Sequence, residues 1–176
     1  MQFKERVVIF DLEATCHETD RSYPKEIIEI GAIDSEGVVF NSFIKPIKKP
    51  CLTDFCKKLT SIHQEDINKA KGFKQVYPDF NNFFQGATLV SWGNYDKNQL
   101  LKDLRLNKLY ADKEYIEANH VNLKEFFEEV TGKRAGGMKG ALHCLGLNLE
   151  GTHHRGIDDA RNILKIYNKL LLIKNN

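Results

Sequence analysis

The chain has 176 residues, the length of one domain, and is long enough to bury a full core, so a second domain is not required. A hydrophobic fraction of 41% without long low-complexity stretches excludes a disordered chain, and no apolar run approaches the roughly 20 residues of a membrane-spanning helix. The formal net charge of +2 excludes the strongly basic balance of a protein that coats nucleic acid, so any contact with a polyanion has to come from local patches.

The N-terminal Met-Gln-Phe-Lys-Glu-Arg puts charges where a signal peptide needs an apolar segment, which points to a cytoplasmic protein. Residues 6–11 form an apolar, β-rich run. Residues 27–34 and 38–44 form two more, and Ser-Glu-Gly at 35–37 between them predicts a hairpin. Cys56, Leu59 and Ile62 predict a short helix. Phe73, Val76, Tyr77, Phe80, Phe83 and Phe84 recur every three to four residues, the spacing of an amphipathic helix whose aromatic stripe reads as core. Residues 87–91 predict a fourth, buried strand, followed by a helix from near Asn94 that carries Leu100, Leu101 and Leu104. A fifth strand is read at 115–121 and a helix at 122–131. Residues 134–140 read as a flexible basic loop leading into a short apolar helix at 141–145, and the last helix runs from about 156 to 172. An antiparallel meander followed by parallel crossovers implies an α/β fold with a mixed five-stranded sheet and helices on both faces.

The four cysteines, Cys16, Cys51, Cys56 and Cys144, contain no Cys-x-x-Cys pair, which argues against zinc or redox chemistry. Lys45, Lys48, Lys49, Lys57 and Lys58 form one candidate basic patch, and Lys133, Arg134 and Lys139 another.

Chemistry concentrates in separated acids. Alternate side chains of a strand share a face, so Asp11 and Glu13 project together from the end of the first strand, where two charges need a cation or hydrogen-bond partners. Asp96 stands at a helix start, where an aspartate also serves as a cap. Asp158 and Asp159 lie one turn inside the last helix, and with about 100° between neighbours only one of them faces any given site. Gathered carboxylates suit hard cations such as Mg²⁺ or Mn²⁺ better than zinc, and two such ions can support phosphodiester hydrolysis. His153 and His154 precede the last helix; a neutral imidazole there is a candidate general base.

Asp11-Leu-Glu-Ala-Thr-Cys16, Asn94-Tyr-Asp96 and His154-Arg-Gly-Ile-Asp-Asp-Ala160 together resemble the three exonuclease motifs of the DEDDh (DnaQ-like) superfamily. The Ala-Thr-Cys and His-Arg-Gly-Ile-Asp-Asp-Ala runs are most similar to the branch of Eri-type 3′→5′ exoribonucleases and KapD-like proteins, with Glu26-Ile-Ile-Glu-Ile-Gly31 in support. The resemblance covers about residues 6–171 of a single exonuclease domain spanning 1–176. It implies a ribonuclease H-like sheet, two Mg²⁺ or Mn²⁺ ions held by Asp11, Glu13, Asp96 and Asp159, and His154 as general base. It further implies that Leu12, Ala14, Thr15 and Cys16 lie near the terminal nucleotide of a single-stranded RNA or DNA 3′ end. Trp92, after the fourth strand, is a candidate stacking surface for a base. The competing reading is a catalytically silent RNA-binding module on the same scaffold, which would have no need of all five of Asp11, Glu13, Asp96, His154 and Asp159.

Overall fold

In the computed structural model, which describes residues 3–175, strand β1 (Val7–Ala14) lies in the interior of the sheet. Its neighbours are β2 (Ile27–Asp34), antiparallel, and β5 (Thr88–Ser91), parallel. Strand β3 (Val39–Lys45) completes the hairpin with β2, and β6 (His120–Asn122) runs parallel to β5. A two-residue strand β4 (Lys71–Gly72) borders β3, giving a six-stranded order β4-β3-β2-β1-β5-β6. Four of the five expected strands are found in place, the fifth is reduced to 120–122, and one short edge strand that carries no apolar run of its own is added. No helix among the described residues is long and apolar enough to cross a membrane.

Period-two alternation in β1 feeds two cores. Val8, Phe10 and Leu12 face one side, with Phe80 and Phe84 of α3 (Phe73–Phe84) and Leu100 and Leu104 of α4 (Tyr95–Leu106). Val7 and Ile9 face the other, against Phe126 and Phe127 of α6 (Leu123–Thr131), Leu142 of α7 (Met138–Cys144) and Ile163, Ile166 and Leu170 of α8 (Gly156–Lys174). Two short helices, α1 (Asp54–Thr60) and α2 (Gln64–Lys69), cover a third cluster around Ile28, Cys56 and Ile67.

Residues 115–121 depart from the strand expected there. Lys113–Asn119 forms helix α5, and only 120–122 join the sheet. The segment buries Ile116 while Glu114, Glu117 and Ala118 stay exposed, a one-sided pattern that a helix satisfies and a strand flanked by core on both faces does not. Helix α7 starts at Met138 rather than at 141; burial of Met138 in the α6–α8 core offsets the poor helix propensity of the neighbouring glycines.

The first turn of α8 lies directly on β2. A Cβ on Gly31 would overlap the main chain at Gly156 and Ile157, and one on Gly156 would come within 3.0 Å of the Gly31 nitrogen and 3.1 Å of the Asp11 carbonyl. Main chain on both sides leaves nothing to rotate away. Gly31→Ala is therefore expected to cost about 3 kcal/mol or more, read as a lowered urea midpoint with an unchanged slope; a midpoint equal to wild type would contradict this close packing.

Candidate active site

Strands β1 and β5 run parallel, and a cleft of about 380 Å³ opens beyond their carboxyl ends, the usual ligand position in α/β sheets. Asp11, Leu12 and Glu13 of β1 line it, with Trp92, Tyr95 and Asp96 from the β5–α4 junction. Gly137 and Met138 at the start of α7, together with His153, His154 and Asp159, close the other side.

Asp11, Glu13 and Asp159 each present a carboxylate oxygen within 4.8 Å of the others. Asp96 lines the same cleft outside this trio; its Oδ1 accepts the Leu12 amide at 3.2 Å. Asp159 accepts the His154 amide at 3.0 Å, and both of its oxygens lie 3.0 Å from Nδ1 of His153. The His153 and His154 rings stack at 3.9 Å, and His154 adopts a left-handed φ of 64°. Asp158 turns away, accepting the Thr152 amide at 2.9 Å and pairing with Arg161.

Of the residues expected near a terminal nucleotide, Leu12 and Trp92 line the cleft and the other three do not. Thr15 is buried, donating its hydroxyl to the Pro24 carbonyl at 2.7 Å and accepting the Glu26 amide at 2.9 Å. Cys16 packs on the cluster around Cys56, and Ala14 is buried in β1. Trp92 is partly core: it meets Phe127 edge-on at 6.1 Å and donates Nε1–H to the Gly136 carbonyl at 3.2 Å.

Sequence reasoning missed the support beneath the histidines. Glu29, wholly buried, accepts from Nε and Nη2 of Arg155 at 3.2 Å each and from the Gly156 amide at 3.0 Å. This fixes the start of α8, and so His154 and Asp159, against β2. The only sequence signal was Glu29 itself, an acid inside an apolar strand; its partner lies 126 residues away.

The cleft is electrostatically unfinished. Burial, then the charges of Asp96, Glu13 and Asp159, holds the Asp11 carboxyl well above the usual carboxylate range. Burial, with Asp159 and Glu29 next, pushes Glu13 up to about 8. Burial raises Asp96 to about 7 against the opposing pull of amide hydrogen bonds, the first from Leu12. Among the described residues no lysine or arginine lines the cleft, and Arg155 is engaged by Glu29. An all-oxygen trio, with Glu13 and Asp159 buried and Asp11 partly so, fits a hard divalent ion such as Mg²⁺ or Mn²⁺. His153, His154 and Asp159 form a second donor set that shares Asp159 with the first.

A pH dependence follows. The folded chain keeps a proton on Glu13 between about 4.5 and 8, where the unfolded chain has lost it, so metal-free stability falls as pH rises through that window. The expected result is a Tm in EDTA that drops across this range, recovers on adding Mg²⁺ or Mn²⁺ most strongly at its alkaline end, and varies less in Glu13→Gln. A metal-free Tm that rises over the same range would contradict the assignment.

A mixed sheet flanked by helices, with an acidic cleft at the ends of its parallel strands, defines an α/β protein built to hold divalent cations. The chain belongs to the RNase_T exonuclease family, whose model matches residues 8–167. It is 27% identical over 97% of its length to ERI1 exoribonuclease 2 of Xenopus laevis, of which it spans 29%, less than a third. It is 29% identical over 92% of its length to the probable 3′-5′ exonuclease KapD of Bacillus subtilis, spanning 82% of that protein. Among solved structures, the nuclease domain of 3′hExo, a DEDDh family member bound to rAMP, superposes with a TM-score of 0.86 at 23% identity, covering 98% of this chain and 93% of that one. The fold is accordingly the ribonuclease H-like fold of DEDDh exonucleases.

Proposed function

We propose that the chain is a metal-dependent 3′→5′ exonuclease that removes nucleotides one at a time from the 3′ end of single-stranded nucleic acid, RNA before DNA, and works in the cytoplasm as a single catalytic domain with its core over about residues 6–171. The observation that carries this is the convergence of Asp11, Glu13 and Asp159 within 4.8 Å in a cleft that Asp96 and His154 share. Family membership and relatives named as 3′-5′ exonucleases and exoribonucleases support the polarity and the choice of RNA.

In this reading Asp11, Glu13, Asp96 and Asp159 hold two Mg²⁺ or Mn²⁺ ions, which when bound supply Lewis acidity to the scissile phosphate and to the water that attacks it. The four carboxylates fix where those charges sit. His154, whose ring makes no hydrogen bond among the described residues, takes the proton of the attacking water. Water adds at phosphorus and the 3′ oxygen of the upstream nucleotide leaves, gaining a proton to become the 3′-hydroxyl of the shortened strand, so the phosphate stays on the 5′ side of the released nucleotide as a 5′-monophosphate. Leu12 and Trp92, which both line the cleft, border the terminal nucleotide. Ala14, Thr15 and Cys16 act behind it, bracing the end of β1 rather than touching substrate.

Incubating the purified protein with labelled single-stranded RNA and its DNA counterpart, with and without Mn²⁺, tests the proposal. Mn²⁺-dependent shortening, faster on RNA, is the expected result. Binding without cleavage under all conditions would favour a silent RNA-binding module instead.

A further inference from the structure

A second recess, of about 230 Å³, lies away from the carboxylates, lined by Pro24, Lys25, Lys48, Lys102, Arg105 and Leu106. Four of these six residues are cationic and none is anionic. All four cations are exposed, and among the described residues the side chains of Lys48, Lys102 and Arg105 make no hydrogen bond or ion pair.

The convergence is built into the fold. Buried Asp103 accepts the Ile27 amide at 3.1 Å and a bond from Gln99, and Gln99 Nε2 also donates to the Lys25 carbonyl at 3.0 Å, tying the start of β2 to α4. Buried Glu26 accepts the amides of Ile47 at 2.9 Å and Lys48 at 2.7 Å, tying the segment after β3 to the same place. Both carboxylates accept hydrogen bonds from the main chain and the Gln99 amide that shape the walls, and neither forms an ion pair with the cations on those walls.

The recess also continues the cleft. Tyr95 lines the cleft, and the Lys25 ammonium lies 5.4 Å from its ring centroid. Tyr95, Gln99, Lys102 and Leu106 follow one face of α4 at helical spacing, with Lys102 about 10 Å along the axis from Tyr95 and Arg105 about 15 Å. A strand whose 3′ end occupies the cleft and whose body passes Tyr95 would run along α4 into these cations. The alternative patch on the opposite rim is weaker, since Lys133 already bonds the Cys144 sulfur at 3.6 Å.

We propose that Lys25, Lys48, Lys102 and Arg105 form a subsite for backbone phosphates of the strand upstream of the terminal nucleotide, a placement that rests on the exonuclease reading of the cleft. Such contacts are electrostatic and blind to base sequence, so they weaken steeply with salt and matter only for substrates long enough to reach them.

The test compares wild type with Lys102→Ala/Arg105→Ala on a 5′-labelled strand of about 12 nucleotides and on a dinucleotide. Anisotropy is measured in Ca²⁺, turnover in Mn²⁺. The double variant should bind the long strand about tenfold or more weakly, with the slope of log K against log salt reduced by about 1.4, raise KM on the long strand, and leave dinucleotide turnover unchanged. An unchanged salt slope, an equal loss on both substrates, or the same effect from Lys133→Ala/Lys139→Ala would overturn the subsite. If wild type releases no nucleotide yet shows the variant-sensitive salt slope, the exonuclease reading fails and the subsite stands. With normal cleavage and an insensitive slope, the exonuclease reading stands and the subsite fails.

Discussion

Replacing Asp11, Glu13 or Asp159 with its amide isostere is expected to slow nucleotide release by about a thousandfold or more, while Asp11→Asn and Glu13→Gln leave the metal-free protein at least as stable as wild type. The two halves have one cause. Carboxylates within 4.8 Å of one another in a shielded cleft repel unless a cation sits among them, and burial and mutual charge hold both Asp11 and Glu13 above the ordinary carboxylate range. An amide keeps the shape but removes one of the charges proposed to hold the ions, for an expected loss of several kcal/mol of transition-state stabilisation, or about three powers of ten in rate. The same change relieves the repulsion in the absence of metal, so Tm in EDTA should hold or rise for Asp11→Asn and Glu13→Gln while the gain on adding Mn²⁺ shrinks. Asp159→Asn should also loosen the histidines, because Asp159 accepts the His154 amide and contacts His153. Folded variants with near-wild-type release would remove the carboxylates from the mechanism.

His154→Ala is expected to lose about 10²–10⁴ in rate, the range of a positioned general base. Burial and the neighbouring charges of His153 and Lys139 hold the His154 imidazole below its ordinary value of 6.5, with Asp159 opposing. A base must be neutral to accept a proton. The wild-type rate should therefore climb with pH through that lowered value and level off above it, and His154→Ala should flatten the climb. His153 differs in that its Nδ1 is already in contact with Asp159 at 3.0 Å, so His153→Ala should act mainly through the position of that carboxylate and cost less. A full loss in His153→Ala with His154→Ala at wild-type rate would make His153 the base.

Local pattern carried much of this. Alternation in β1 made Asp11 and Glu13 neighbours on one face, and the spacing of Phe73 through Phe84 on α3 announced a buried helical stripe. Where residues depend on partners far along the chain, the pattern was silent or misleading. Residues 115–121 read as a strand, but only one side of that segment meets core, so 113–119 wind into α5 and only 120–122 join the sheet. Glu29 reads as an odd acid in an apolar strand until Arg155 and Gly156 come to it across 126 and 127 positions. Thr15, adjacent to the acids in sequence, is turned inward by the 24–26 segment. The basic recess joins Lys25, Lys48, Lys102 and Arg105 from three segments; of these, only Lys48 belonged to a cluster visible in the sequence.

Resolving the products of a 5′-labelled single-stranded RNA over time in Mn²⁺ tests the central claim most directly. A ladder that shortens from the 3′ end, with 5′-mononucleotides as the released species and no cleavage in EDTA, is the predicted result. Internal cuts at the earliest times, or products bearing 3′-phosphates, would contradict it.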